Sequence, residues 1–146
     1  MVRSTFFAAI LFAMNINNCS AQEIPEIGQT WTGEIRHNEK LYVLPPYGFQ
    51  DKIVFKSGDS DFSGAVKSGR IVFISTNDPD FVINGKRYVG VPLSSFKSRD
   101  KLVTSPGWGS YLEIDDEWYA AFDYKELSDT SKVIFVFKYS PPKSKI

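Results

Sequence analysis

The chain has 146 residues, of which 42% are hydrophobic and 15% aromatic, and its 17 basic side chains balance 17 acidic ones. This length predicts a single domain with one hydrophobic core, and the balanced charge excludes the strong basic field that binding to nucleic acid or an anionic membrane would require. One cysteine and one histidine exclude thiolate clusters and multi-histidine metal sites, and we expect no cofactor.

The N-terminal segment has the layout of a secretory signal peptide. An apolar run from Thr5 to Met14 follows the basic residue Arg3, and small residues at 19–21 precede the first polar segment. The run is shorter than the roughly 20 apolar residues that span a bilayer. We therefore expect residues 1–21 to be removed. This would leave one domain at 22–146 in the periplasm or the medium, with no membrane span.

Cys19 has two alternative fates at this end of the chain. Cleavage after Ala21 removes the cysteine, so the mature domain has no thiol for catalysis, a disulfide or a metal. Alternatively, Cys19 is the lipidated residue of a lipoprotein. Ile16 suits such a signal, whereas Asn18 is a poor match to the small residue expected just before the cysteine.

After an irregular lead-in, the chain is a succession of short β-rich segments separated by turn residues. Alternation of apolar and polar residues, or short apolar runs between turn residues, predicts strands. In chain order these are Trp31–Arg36, Lys40–Leu44, Lys52–Lys56, Phe62–Val66, Arg70–Ser75, Phe81–Ile83, Lys86–Val91, Lys101–Thr104, Tyr111–Ile114, Glu117–Tyr124 and Lys132–Tyr139.

Two of these segments carry more specific information. Asn84-Gly85 lies between β-rich runs and predicts a type I′ hairpin, because both residues accept positive φ. The segment Lys132–Tyr139 is apolar on both faces, which indicates a central strand. About nine or ten strands, spaced by roughly ten residues and with at most one or two short helical turns, predict an antiparallel all-β sandwich or small barrel.

Aromatic residues near the C-terminal half form the first predicted binding surface. Trp108 lies between two glycines in a loop, and Tyr111 and Tyr119 follow it on strands, with Tyr119 pointing outward. The neighbouring turn adds the acidic cluster Asp115, Asp116 and Glu117. Exposed Trp and Tyr beside charged groups are typical of a protein-binding hot spot or a sugar-stacking platform. Alternatively, Trp108 folds back and plugs one end of the sandwich.

A second predicted surface is the proline-stiffened loop Leu44–Phe49, with Tyr47 and Phe49 as its contact residues. A rigid loop loses less entropy on binding. The alternative is a structural crossover between two sheets.

Other chemistries have weaker support in the sequence. The lone His37 is expected in an exposed turn, and no Gly-x-Ser-x-Gly pattern accompanies it. Asp59 and Asp61 match the start of a calcium loop, but the glutamate that would complete the loop is absent. A glycosidase needs two carboxylates in a cleft. One would come from the acidic cluster and the other from Glu34 or Asp123, and nothing in the sequence selects that pair.

These observations favour an exported protein-binding module, most concretely a periplasmic inhibitor or immunity protein that blocks a toxin or hydrolase. A lipocalin-like barrel with a small apolar ligand is the first alternative. The segment Gly28–Trp31 resembles the Gly-x-Trp opening of lipocalins, except that its glycine precedes Trp31 by three residues. A carboxylate-dependent hydrolase is the second alternative.

Overall fold

The computed structural model describes residues 24–115, 117–123 and 126–140. The predicted signal peptide, Cys19, Asp116 and Tyr124 lie outside this described part. The described part contains ten strands and two short 3-10 turns. The strands are β1 (Arg36–Val43), β2 (Gly48–Ser57), β3 (Ser60–Lys67), β4 (Arg70–Thr76), β5 (Val82–Ile83), β6 (Lys86–Arg87), β7 (Val103–Ser105), β8 (Gly109–Asp115), β9 (Trp118–Phe122) and β10 (Val133–Tyr139), and the turns are Leu93–Ser95 and Arg99–Lys101.

Eight of the strands form one antiparallel sheet in the order β1-β2-β3-β4-β10-β9-β8-β7. Two four-stranded meanders, β1–β4 and β7–β10, are joined where β10 pairs with β4. The connection between the meanders, residues 77–102, is called the crossover below, and it includes the separate hairpin of β5 and β6. The predicted all-β class, the number of strands and the central position of β10 are confirmed.

The sheet has a buried apolar layer on each face. One layer, on what we call the covered face, lies beneath the crossover and the N-terminal residues 24–35. Its buried members include Ile53, Phe62, Ile71, Ile74, Leu112, Trp118, Ala120, Phe122, Val133 and Val136. The other layer is smaller and consists of Val43, Leu44, Ala65, Val72, Phe73, Ala121 and Phe137. Alternation of side chains along each strand explains how one sheet supplies both layers.

Two loop segments extend the pairing at the centre of the sheet. Beyond the point where β10 leaves β4, the backbone of Gly28 donates to Ile71 at 2.7 Å, and Ile71 donates to Gln29 at 3.0 Å. At the other end of β10, Gly90 donates to Val133 at 2.8 Å, and Val133 donates to Val91 at 2.9 Å. These bonds satisfy backbone groups that the shorter neighbouring strands leave unpaired.

The Asn84-Gly85 hairpin is confirmed, with φ of 48° and 80° at the two turn residues. The region before β2 differs from the prediction. Only Arg36 of the segment Trp31–Arg36 is in a strand, because Trp31 Nε1 donates to the Glu34 carbonyl at 3.0 Å and curls the chain before it. Residues 37–39, predicted as a turn, lie within β1.

Residues 37–39 form an irregularity of β1 without paired partners on β2. The His37 ring and the Lys40 ammonium both contact the Asp51 carboxylate on β2, across a register shift between Arg36 and Lys40. The Lys40 and His37 hydrogen bonds hold the pKa of Asp51 below its usual value. These side-chain contacts hold the irregular segment of β1 against β2.

A candidate binding site on the aromatic face of the sheet

Six partly buried aromatic side chains surround one buried ring on the face opposite the covered face. We call this surface the aromatic face. The buried ring is Phe137, which is 0% exposed. Around it lie Tyr47, Trp108, Tyr111, Tyr119, Phe135 and Tyr139. The structure thus brings together four of the residues that the sequence singled out for binding, from two loops and two strands.

The ring contacts give this surface a defined geometry. The Phe137 centroid lies 5.0 Å from that of Trp108, 5.3 Å from Tyr119 and 5.7 Å from Tyr111. Tyr119 stacks on Phe137, whereas Trp108 and Tyr111 meet it in T-shaped contacts. Offset-stacked and T-shaped arrangements are the favourable ones for aromatic pairs, and they restrict each ring to one orientation.

Trp108 is folded back onto the sheet. Its ring makes T-shaped contacts with Phe73, Tyr111 and Phe135, with centroid separations from 5.8 to 6.4 Å. Its Nε1 donates to the Tyr42 carbonyl of β1 at 3.3 Å. The turn between β7 and β8 therefore reaches the opposite edge of the sheet, so the sheet is curled and barrel-like. Of the two arrangements considered for Trp108, the structure shows the packed one.

Tyr47 ties the loop after β1 to the same face. Its hydroxyl donates to the Ser140 carbonyl at 2.8 Å, and the Lys67 ammonium lies 5.8 Å from its ring centroid. Leu44, at the start of the loop, is buried in the layer beneath. The loop is thus both a connection between strands and a wall of the aromatic face.

Phe49 is not part of the aromatic face. It is 70% exposed and pairs with Tyr42, whose ring centroid is 4.9 Å away. Tyr42 alternates with Leu41 and Val43, which pack toward the aromatic face. The Tyr42 and Phe49 side chains consequently lie on the other side of the sheet, at its β1 edge.

Carboxylates form one rim of the aromatic face. Glu113 and Glu117 line a groove of about 310 Å³ together with Tyr119, Tyr139 and one basic residue, Lys138. Glu113 and Asp115 also line an adjoining groove of about 450 Å³, together with Lys101. Asp115 accepts a hydrogen bond from Asn84 Nδ2 at 2.9 Å, which links β8 to the β5–β6 hairpin. Asp116, the remaining member of the predicted cluster, lies outside the described residues.

Three members of this surface were missed by the sequence reasoning: Glu113, Phe135 and Tyr139. A signal for each was present. Phe135 and Tyr139 are each two residues from Phe137, so the three side chains share one side of β10. In the same way, Glu113 is two residues from Tyr111 and shares its side of β8. What was missing is the pairing of β8 and β10 with β9, which places these side chains next to Tyr119.

Two tyrosine hydroxyls of this face have shifted ionisation. Burial among the rings raises the pKa of Tyr139 well above its usual value of 10.0, and a hydrogen bond with Tyr111 raises it further. Burial, followed by the nearby carboxylate of Glu113, raises the pKa of Tyr119. Both phenols remain neutral at physiological pH.

This shift predicts a loss of stability in alkali. A phenol whose pKa is raised on folding contributes stability that is complete below pH 10 and is lost as the pH rises through the folded-state pKa. We expect the urea midpoint to fall between pH 10 and about pH 12, and to fall less steeply in Tyr139→Phe. At pH 8 the phenols are neutral, so the difference in urea midpoint between wild type and Tyr139→Phe measures only the loss of the hydroxyl contact and serves as the control. Parallel curves for both proteins would contradict the expectation.

Two further features bear on chemistry. Among the residues that the structure describes, no group of three or more His, Cys, Asp or Glu side chains is placed to hold a metal ion. Within the same ranges, no helix has the length and apolar character needed to cross a membrane. His37 lies on β1 with its Nδ1 2.9 Å from the Asp51 carboxylate, at the first strand of the sheet rather than on the aromatic face.

Comparisons with known proteins identify no relative: no protein-family model matches the chain, and neither a curated protein nor a solved structure shows significant similarity to it.

Proposed function

We propose that this chain is a protein-binding module that contacts its partner through the aromatic face. In its most concrete form the proposal is an exported inhibitor or immunity protein that blocks a toxin or hydrolase of the periplasm. The observation that carries it is the cluster of partly exposed tyrosines, with Trp108, on the face opposite the one that the crossover and the N-terminal residues cover.

The composition and rigidity of this face support the proposal. Tyr and Trp are the residues most enriched at binding hot spots, because each presents a large amphipathic surface with few rotatable bonds. Here Tyr111, Tyr119 and Tyr139 contact one another with centroid separations of 5.3 to 6.3 Å. A surface that is already ordered loses little side-chain entropy on association.

The acidic rim indicates the chemistry of the partner. Glu113 and Glu117 line the same groove as the rings of Tyr119 and Tyr139, and they outnumber its one basic side chain, Lys138. A Lys or Arg side chain entering this groove would meet a carboxylate at its charged end and an aromatic ring along its stem. We therefore propose that the partner inserts a basic side chain here, as the active site of a nuclease or another polyanion-processing enzyme can offer.

The two alternatives have less support. A ligand barrel of the lipocalin type is an up-and-down succession of strands around a cavity. Here the crossover separates two meanders, and the rings around Phe137 pack against one another where a ligand would lie. For a hydrolase, Glu113 and Glu117 share the groove beside Tyr119 and Tyr139. Turnover of model glycosides that disappears in both Glu113→Gln and Glu117→Gln would favour this alternative.

The proposal is tested by capturing partners from the periplasm or medium of the source organism, with the wild-type protein and variants as bait. For a captured protein, Tyr119→Ala is expected to weaken the affinity about 30-fold, the scale of a hot-spot residue at roughly 2 kcal/mol. Glu113→Gln/Glu117→Gln is expected to slow association and to reduce its dependence on salt.

The matched control is Asp59→Asn/Asp61→Asn, which neutralises two exposed carboxylates around the turn between β2 and β3. It is expected to leave affinity and association rate unchanged. Circular dichroism establishes that each variant is folded. Affinities that are the same for wild type, Tyr119→Ala and the Glu113/Glu117 double variant would overturn the proposed use of the aromatic face.

A further inference from the structure

A second surface lies at the edge of the sheet, where β8 extends beyond its short neighbour. β7 pairs with Gly109–Tyr111 only. Of the remaining residues of β8, Leu112, Glu113 and Asp115 pair with β9, with a register shift between Glu113 and Asp115. No described strand pairs with the other side of this segment, where Glu113 and Ile114 line a groove. Alternate N–H and C=O groups of such an edge point outward and are able to pair with another extended chain.

The groove beside this edge has the size of a ligand site. Its volume is about 570 Å³, which falls within the range of roughly 300–1,000 Å³ that binding clefts occupy. Its walls come from β6 with the following Tyr88, from the crossover at 95–98, and from Glu113 and Ile114 of β8. The Asn84–Asp115 hydrogen bond of 2.9 Å holds the hairpin wall against β8.

The floor of the groove is aromatic and fixed. The Tyr88 and Phe96 rings stack with a centroid separation of 6.2 Å and an interplanar angle of 18°. Phe96 in turn makes a T-shaped contact with the buried Phe122 at 5.9 Å. Both rings are partly exposed, so they present an apolar surface to a side chain that enters the groove.

The rim of the groove is basic. Lys86, Arg87 and Lys97 line it and are exposed, against the single carboxylate of Glu113. Arg87 lies 3.6 Å from the exposed Asp80 carboxylate, whereas Lys86 and Lys97 make no ion pair with any described residue. The sign of the charge is thus opposite to that of the rim of the aromatic face, and it complements an acidic ligand.

We propose that this groove binds an extended acidic segment of a partner protein, which adds to β8 as a further antiparallel or parallel strand. Four residues of such a segment would cover roughly 14 Å of the free edge. Main-chain hydrogen bonds to residues 112–115 supply affinity, and Lys86 and Lys97 select carboxylate side chains. The chain's own C-terminal residues 141–146 contain two lysines and no carboxylate side chain, so their charge does not suit the groove. This proposal does not depend on the aromatic face.

The test uses NMR of the ¹⁵N-labelled protein, titrated to about 5 mM with a short capped peptide of alternating glutamate and valine. The shifts are expected at Lys86, Tyr88, Phe96, Lys97 and Ile114, together with slower amide exchange among residues 112–115. A matched peptide of alternating lysine and valine is expected to produce neither effect.

Variants separate this groove from the rest of the surface. Lys86→Gln/Lys97→Gln is expected to weaken binding of the glutamate peptide at least about fivefold, and raised salt is expected to weaken it in the wild type. Lys56→Gln/Lys67→Gln, on β2 and β3, is the control for total charge and is expected to have no effect. Tyr119→Ala is also expected to leave this binding unchanged, so the failure of one proposal does not imply failure of the other.

Three results would overturn the proposal. The first is the absence of shifts in the groove with the glutamate peptide. The second is an equal response to the lysine peptide. The third is that inorganic phosphate alone gives the same shifts, displaces the peptide and leaves amide exchange at 112–115 unchanged, which would identify a site for small anions instead.

Discussion

Phe137→Ala is expected to lower the free energy of unfolding by about 4 kcal/mol, the middle of the range for deleting a buried phenylalanine. Phe137 lies on the central strand β10, is 0% exposed, and its ring contacts those of Trp108, Tyr111, Tyr119 and three further aromatic residues. The backbone of β10 is held by β4 and β9 on its two sides. Neighbouring rings are therefore unable to collapse fully into the cavity, and the lost contacts are not replaced.

The matched control for this prediction is Ile134→Ala on the same strand. Ile134 is 46% exposed, so its truncation creates no closed cavity and is expected to cost less than about 1 kcal/mol. Urea unfolding followed by far-UV circular dichroism measures both changes, since the midpoint shifts while the slope remains constant. Similar losses for Phe137→Ala and Ile134→Ala would contradict the placement of Phe137 at the centre of the cluster.

Trp108→Ala is expected to cost about 3 kcal/mol, near the lower end for a tryptophan deletion because part of the ring is exposed. The ring contacts Phe73, Phe135 and Phe137, and its Nε1 bond to Tyr42 joins the two ends of the curled sheet. Its removal therefore loses apolar contact area and a link between strands that are far apart in the order of the sheet.

Trp108→Phe separates these two contributions. It keeps an aromatic ring in the turn but loses the Nε1 donor, and the expected cost of the lost bond is about 1 kcal/mol. Phe49→Ala is the matched control for an aromatic side chain on the surface, because Phe49 is 70% exposed. A loss below about 1 kcal/mol for Trp108→Ala would show that the ring is not packed in solution.

The packing of Trp108 changes how its role in binding is tested. A variant that lowers stability by several kcal/mol also disturbs the rings around it, so lost binding in Trp108→Ala would not identify a direct contact. Tyr119 is better suited, because it is partly exposed on a strand that is paired on both sides. The proposed partner contacts are therefore tested through Tyr119 and the carboxylates of Glu113 and Glu117.

Several features of the fold and the site were predictable because they depend on neighbours along the chain. Apolar residues on both faces of the β10 segment indicate a central strand. The Asn84-Gly85 pair reports a turn with positive φ at both positions. The aromatic and acidic residues from Trp108 to Glu117 were predicted as binding residues from their residue type and their position in loops. Most of the described residues in this set lie on or around the aromatic face.

The order of the strands was not predictable in this way. Pairing of β10 with β4 joins segments on either side of the crossover, and nothing in the alternation of either strand specifies its partner. The misassigned Trp31–Arg36 segment has the same cause. Its alternation suits a strand, but the edge of β4 near residues 69–71 accepts only a short stretch around Thr30.

By itself, the sequence determined that the chain forms an antiparallel β structure with many aromatic residues. Only the tertiary structure decided that the crossover covers one face of the sheet and that the tyrosines remain partly exposed on the other. The deciding contacts join residues far apart in the chain, such as Trp108 to Tyr42 across 66 positions and Tyr47 to Ser140 across 93. A local pattern specifies which side chains share a face of a strand, whereas the burial of that face depends on which distant segment packs against it.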